Sequence, residues 1–237
     1  MSSPPRTARS IGLLYLLMGL PAPFNLIYIP TTFIARGDAA ATARNITAHE
    51  LTYRFGILSG LFSSVAFIFV VLSLYNLFRD VDRKHARLMV ALVLVTVTLG
   101  IANLANEAAP LVLLGGRGYL TAFTRPQLEA LALGFLSLRS SVLNLEMAFW
   151  GLWLFPFGVL VIKSGFMPRS IGVLLIVNCF AYLAVSLTGI IFPEHQALVD
   201  RIALPFYAAG ELSVLIWFFA KGSRVRLPDS RPALMTA

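Results

Sequence analysis

A single carboxylate, Glu211, lies in the middle of a strongly apolar segment of this 237-residue sequence. It follows Arg201 by ten residues and precedes Lys221 by ten, so a helix holds it about 15 Å from either end of a hydrocarbon core about 30 Å thick. An ionised side chain at that depth costs at least about 2.5–3.5 kcal/mol. The position predicts either a protonatable ligand or proton site, with Tyr207 one turn earlier on the same face, or a neutral Glu211 that links two helices by a hydrogen bond.

A second set of polar side chains recurs at helical spacing near one end of other apolar segments. Asn103 and Glu107 are four residues apart, and Glu107 is expected at the outer membrane boundary. Arg139 and Glu146 are seven apart and share a face, while Arg54 opens another segment. The functional hypothesis is one outward-open pocket in which the two arginines balance the two glutamates; the alternative is that these charges contact headgroups. The predicted ligand-binding set is Glu211, Tyr207, Glu107, Asn103, Glu146, Arg139, Arg54 and Asn144.

Other amides lie inside the apolar segments. Asn25 lies in the outer third of the first one, among Pro21, Pro23 and Pro30, and the hypothesis of an outward-open pocket includes it as a neighbour of the charged residues. Asn178 and Tyr182 are four residues apart near the middle of the fifth. Such pairs are typical of hydrogen bonds between membrane helices, and a ligand-facing role is the alternative.

Signatures of common enzyme chemistry do not occur in the sequence. His49, His85 and His195 fall in connections without a second His or Cys at metal-ligand spacing, and no Gly-rich phosphate loop or Gly-x-Ser-x-Gly motif is present. We therefore assign no catalytic residue, and we expect no metal and no cofactor. An intramembrane enzyme with Glu107 or Glu146 as general base and a structural or regulatory membrane protein without a ligand remain the alternatives to a binding protein.

The composition sets the class of protein. Hydrophobic residues make up 58% of the chain, charged residues 13%, and the mean hydropathy is +0.80, whereas a soluble domain carries about 25% charged residues. One cysteine excludes a disulfide scaffold. We predict an all-α integral membrane bundle of six transmembrane helices, with short amphipathic helices on the outer face. The six apolar segments span residues 11–34, 55–78, 88–114, 143–162, 171–192 and 202–220.

The distribution of basic residues predicts the orientation. The N-terminus, the second and fourth connections and the C-terminal tail together hold 12 of the 19 basic residues but three of the 11 acids. Because basic residues beside spans stay on the cytoplasmic side, both termini are expected in the cytoplasm. The net charge of +8 is then explained by topology and by anionic headgroups of the lipid bilayer, not by nucleic acid. Residues 1–222 form one domain in this interpretation, and 223–237 form a disordered cytoplasmic tail.

The connections carry helix-start signals. Asp38 is placed to cap a short surface helix that runs to about His49. Thr124 and Gln127 read as a capping box with a proline in the first turn. The helix that follows either continues through residues 126–162 or bends near 138–141, and the sequence leaves both options open.

Three stretches of this chain resemble one family of bacterial multi-pass membrane proteins. They are residues 8–15 (ARSIGLLY), residues 37–44 (GDAAATAR) leading into 53–56 (YRFG), and residues 164–173 (SGFMPRSIGV). The family is known as domain of unknown function 4386. The resemblance implies a bacterial cytoplasmic membrane location and brings no activity or catalytic residues. A small-molecule or lipid ligand, a homo-oligomer and a membrane-protein partner all stay open.

Overall fold

The computed structural model of this protein describes residues 8–221, which are almost entirely helical and contain no strand. Six helical segments within them are long and apolar enough to cross a membrane, so the chain is a multi-pass membrane protein. The predicted tail at 223–237 lies outside the described residues. The helices are α1 (Arg9–Gly19), α2 (Ile29–Phe33), α3 (Ala39–Ala48), α4 (Glu50–Phe78), α5 (Arg83–Leu113), α6 (Arg125–Leu152), α7 (Leu154–Ser164), α8 (Arg169–Ile191) and α9 (Gln196–Lys221).

The helices pack as a bundle in which apolar side chains also cover the outside. Phe55, Leu58, Phe62 and Phe69 of α4 are exposed, as expected for side chains that contact lipid. Inside, α5 packs between α4 and α6, α8 packs against α6, α7 and α9, and α1 packs against α4 and α9. This order surrounds a space that all six spans reach with polar side chains.

A glycine permits close contact between two helices near that space. A Cβ at Gly151 of α6 would lie 2.7 Å from the carbonyl oxygen of Cys179 and 2.8 Å from the Cβ of Tyr182, both on α8. Such distances are shorter than van der Waals contact allows. Gly151 therefore sets the distance between α6 and α8 and with it the position of Tyr182 relative to α6.

The first span is broken in its C-terminal half. After α1, residues Phe24–Tyr28 form one wide π-helical turn that leads directly into α2. Pro21 and Pro23 precede this turn, and prolines cannot donate the backbone hydrogen bonds of a regular helix. Non-helical backbone inside a membrane is tolerated where protein buries it, and Asn25, in the turn, is 5% exposed.

The fourth span is also broken, at Trp153. Helix α6 ends at Leu152 and α7 begins at Leu154, so the helix over 126–162 is not continuous. Pro156 has no N–H for the carbonyl of Leu152, and its ring clashes with that carbonyl. The proline therefore explains an interruption at 153, and no break occurs at 138–141, the alternative left open by the sequence.

Both predicted helix starts are confirmed. The Asp38 side chain accepts a hydrogen bond from Ala41 N at 2.8 Å and begins α3. Thr124 and Gln127 form the capping box that begins α6, and Thr124 N donates to Gln127 Oε1 at 2.8 Å. Helix α3 packs against α6 and closes the bundle at this end.

At the opposite end of the bundle, Asp82 connects the start of α5 to the end of α7. Its carboxylate accepts from the backbone N–H groups of Lys84 and His85 and caps α5. Lys163, at the end of α7, lies 2.6 Å away. The Lys163 ammonium, together with these backbone donors, lowers the pKa of Asp82 well below its usual value.

Candidate ligand-binding cavity

A cavity of about 480 Å³ lies inside the bundle, between the broken first span, α4, α5, α6, α8 and α9. Among the residues that the structure describes, its charged lining side chains are Glu107, Glu146, Glu211 and Arg139. The rest of the wall is mostly apolar and aromatic, with a few hydroxyls and amides. Apolar walls with few polar groups are typical of small-molecule sites.

A buried ion pair forms one side of the cavity. Arg139 Nε of α6 lies 3.0 Å from Glu107 Oε2 of α5, and their side chains are 7% and 1% exposed. Asn25 Nδ2 donates to both oxygens of the same carboxylate, at 2.9 and 3.0 Å. Tyr53 donates its hydroxyl to the backbone carbonyl of Glu107 at 2.7 Å. The Glu107 carboxylate is therefore neutralised from α6 and held from the first span, while Tyr53 of α4 holds the backbone of the same residue.

The π-helical turn explains why Asn25 can form hydrogen bonds with both Glu107 and Arg139. Ile29 N donates to the carbonyl of Phe24, five residues back, and Pro30 has no N–H to donate to the carbonyl of Asn25. Arg139 Nη2 supplies the missing donor, at 3.2 Å from Asn25 O and 3.1 Å from Asn25 Oδ1. Asn25 Nδ2 also reaches Gly56 O of α4 at 3.0 Å. The break thus connects the first span to α4, α5 and α6.

Glu146 occupies the next position on the cavity wall. Asn103 Nδ2 donates to Glu146 Oε1 at 2.9 Å and to the backbone carbonyl of Arg139 at 3.0 Å. Within residues 8–221, no Lys, Arg or His forms an ion pair with Glu146, and its Oε2 takes no hydrogen bond. A Cβ at Gly100 would lie 3.5 Å from that oxygen. Glu146 therefore presents one oxygen beside the open space.

Glu211 and two tyrosines line another part of the cavity. Tyr182 of α8 donates its hydroxyl to Glu211 Oε1 of α9 at 2.7 Å. The rings of Tyr182 and Tyr207 stack with centroids 4.0 Å apart, and the buried Tyr207 hydroxyl has no hydrogen-bond partner among the residues that the structure describes. Across the described part of the chain, Glu211 forms no ion pair. Its partner here is therefore a neutral hydroxyl.

The charges of the wall do not balance. One arginine faces three glutamates over the described residues, and that arginine is engaged by Glu107 and Asn25. Charged groups in a low-dielectric interior are expensive unless a counter-charge or a proton neutralises them. Two carboxyl groups, Glu146 and Glu211, are therefore left to be neutralised by something other than a basic side chain.

Six of the eight predicted site residues line this cavity, and two do not. Arg54 is half-exposed and pairs with Glu50 one turn earlier, at 2.6 Å, because the i,i+4 partner on the same helix is nearer than any residue of the bundle interior. The expected pairing of Arg54 with the pocket acids is therefore wrong. Asn144 faces α8 and α9, where Gln196 Nε2 donates to its Oδ1 at 2.9 Å and Ser186 donates to its carbonyl. A ligand role for the other six stays a prediction.

The predictions for the other polar residues inside the spans have different outcomes. Tyr182 makes the expected bond between helices, to Glu211. Asn178 is fully buried against Gly210, yet both of its polar atoms lack a partner among the described residues. Asn25, which the sequence offers as a neighbour of the pocket but which is not in the predicted ligand-binding set, lines the cavity, and the prolines around it are the sequence signal of the broken helix that places it there.

The aromatic walls carry no sequence signal of their own. Tyr15, Phe67, Trp150 and Trp153 line the cavity, but in the sequence they are indistinguishable from other aromatic residues of apolar helices. In the part of the chain that the structure covers, no group of three His, Cys, Asp or Glu side chains is arranged to hold a metal.

Comparisons with known proteins identify a family only. A family model described as "Domain of unknown function (DUF4386)" matches residues 10–222. No curated protein and no solved structure matches the chain.

Proposed function

This chain belongs to the family described as Domain of unknown function (DUF4386), and we propose that it binds a small amphipathic molecule in the cavity inside its bundle. The location that we propose is the bacterial cytoplasmic membrane, with both termini in the cytoplasm and the Glu107 end of α5 toward the outside. The retention of basic residues on the cytoplasmic side supports that orientation.

The single observation that carries the proposal is the cavity that joins Glu211 to the Glu107, Arg139 and Glu146 network. Its volume of about 480 Å³ falls in the range of roughly 300–1,000 Å³ typical of small-molecule sites. Six helical spans could meet without such a space, because apolar side chains close helix interfaces at crystal-like density. An open volume with carboxylates on its wall therefore favours a ligand.

The alternatives have less support. A bundle with a purely structural role is expected to pair its polar groups internally. Tyr207 Oη and Glu146 Oε2 instead adjoin the cavity and have no partner within residues 8–221. A general-base role for Glu107 is disfavoured because Arg139 and Asn25 already occupy both carboxylate oxygens. Binding uses the groups that remain free.

A cavity-filling substitution tests the proposal. The variant is Gly100→Leu. A Cβ at Gly100 would make ordinary contacts, 3.5 Å to Glu146 and 3.7 Å to Ser64. The bundle therefore accommodates the Cβ of the leucine, and the rest of the side chain occupies the cavity. Gly134→Leu is the matched control, because a Cβ there meets nothing within 4 Å on the exposed face of α6. Both variants and the wild type are purified in lipid nanodiscs.

Binding is measured with three tritiated probes of similar size: benzyltrimethylammonium, its uncharged carbon analogue neopentylbenzene, and phenylacetate. We expect saturable binding of at least one probe to the wild type and to Gly134→Leu, and its loss in Gly100→Leu. Unchanged binding in a folded Gly100→Leu protein, or no saturable binding of any probe to the wild type, contradicts the proposal.

A further inference from the structure

We propose that the ligand of this cavity is an organic cation, whose positive charge is neutralised by Glu211 and Glu146 and whose apolar body lies against the aromatic wall. This inference rests on the proposed function and names the class of molecule that the cavity takes. It follows from the charges, the aromatic side chains and the free hydrogen-bonding atoms that meet there.

The charge balance gives the first reason. Glu107 has its own cation, because Arg139 Nε lies 3.0 Å from it and Arg139 Nη2 is directed to Asn25. Over residues 8–221 no basic side chain forms an ion pair with Glu146 or Glu211. An ammonium ligand supplies one of the two missing positive charges, and a proton on the other carboxyl group supplies the second. The attraction between an ammonium group and a carboxylate is strong in a low-dielectric interior.

The wall provides the second reason. Six aromatic side chains of the described segment line the cavity: Tyr15, Phe67, Trp150, Trp153, Tyr182 and Tyr207. They form contacting groups, with Tyr182 and Tyr207 stacked at 4.0 Å and Trp150 edge-to-face with Tyr182 at 6.3 Å between centroids. Aromatic rings attract organic ammonium groups through their quadrupole and also cover alkyl and aryl surface. The same wall therefore suits both halves of an amphipathic cation.

The free polar atoms provide the third reason. Oε2 of Glu146 and Oε2 of Glu211 accept no hydrogen bond within the described chain, and the Tyr207 hydroxyl has no partner. The two carboxylate oxygens can accept donors but repel negative charge. An anionic ligand would face three glutamates and compete with Glu107 for Arg139. An uncharged ligand brings no positive charge, so each free carboxyl group would have to be neutralised by a proton instead.

A bare metal cation fits the space less well than an organic one. Hard cations such as Ca²⁺ require six to eight oxygen ligands at short distances, and most of this wall is apolar. A volume of about 480 Å³ is far larger than one ion and accommodates a molecule with an apolar body.

The test compares the affinities of the three probes for the full-length protein in nanodiscs. We expect benzyltrimethylammonium to bind at least about tenfold more tightly than neopentylbenzene, which differs from it by the charge alone, and phenylacetate to bind more weakly than either. Glu211→Gln is expected to weaken benzyltrimethylammonium binding by about tenfold or more and to leave neopentylbenzene binding unchanged. Glu50→Gln makes the same chemical change on the exposed face of α4 and is the matched control.

The outcomes separate the two proposals. Equal binding of the cation and the uncharged probe, both abolished by Gly100→Leu, overturns the cation inference and leaves the proposed function standing. Binding of phenylacetate alone has the same meaning. If no probe binds saturably, both are overturned. Should Glu211→Gln fail to fold by size exclusion and circular dichroism, Glu146→Gln replaces it with the same expected selectivity loss, and unchanged cation affinity in that folded variant contradicts the inference.

Discussion

Removing one member of the buried Arg139–Glu107 pair is expected to destabilise the protein strongly. Arg139→Met deletes the guanidinium that lies 3.0 Å from Glu107 and that also holds the carbonyl of Asn25. With side chains 7% and 1% exposed, the Glu107 carboxylate would lose its counter-charge at a site with little access to bulk water. Breaking a buried pair in this way costs about 3–5 kcal/mol, whereas replacing both members with apolar residues costs much less. The free energy of unfolding should therefore recover partly in Arg139→Met with Glu107→Leu.

A double-mutant cycle measures this coupling. The unfolding free energy is obtained for the wild type, both single variants and the double variant by titrating mixed micelles with sodium dodecyl sulfate and following circular dichroism. We expect a coupling energy of at least about 2 kcal/mol. The exposed Arg54–Glu50 pair, with side chains 52% and 50% exposed, serves as control and should give at most about 0.5 kcal/mol. Additive effects at the buried pair, or a single-variant loss below about 1 kcal/mol, would refute the reasoning.

Three further predictions concern other parts of the fold. Gly151→Ala should lower the thermal midpoint of unfolding because its Cβ would lie 2.7 Å from a carbonyl of α8, while Gly134→Ala should not; equal midpoints would contradict the close approach. Lys163 holds the pKa of Asp82 below its unfolded value, so this carboxylate stabilises the fold above about pH 3.9 and loses the effect as the pH falls below it. Asp82→Asn keeps a capping side chain but removes the charge, so it should lower the thermal midpoint at pH 7. The difference in midpoint between the wild type and this variant should shrink in acid. A constant difference would reject that pH dependence. In intact cells, a membrane-impermeant maleimide should label Arg117→Cys and spare Lys163→Cys, and the reverse pattern would overturn the orientation.

Much of the fold could be predicted because its causes are local. The number of spans follows from apolar length, and the starts of α3 and α6 follow from Asp38 and Thr124, whose side chains bond to backbone within three residues. The family resemblance is likewise confirmed over residues 10–222. The break at Trp153 was missed, although Pro156 carried its signal.

The site was predicted only in part because it depends on packing between distant segments. Helical spacing placed Asn103 beside Glu107 and Arg139 near Glu146, but it did not pair Arg139 with Glu107. Spacing also could not exclude Arg54, whose nearest acid lies on its own helix. The aromatic wall depends on helix rotations that periodicity does not fix, since apolar side chains in a membrane face both lipid and bundle.

The most direct measurement is an experimental structure by electron cryomicroscopy of the protein in lipid nanodiscs with saturating benzyltrimethylammonium. The account predicts density for one probe molecule inside the bundle, in contact with Glu211 or Glu146 and with the aromatic wall, and its absence in Gly100→Leu. A bundle whose interior is filled by side chains, or a last helix whose Glu211 faces the acyl chains, would contradict it.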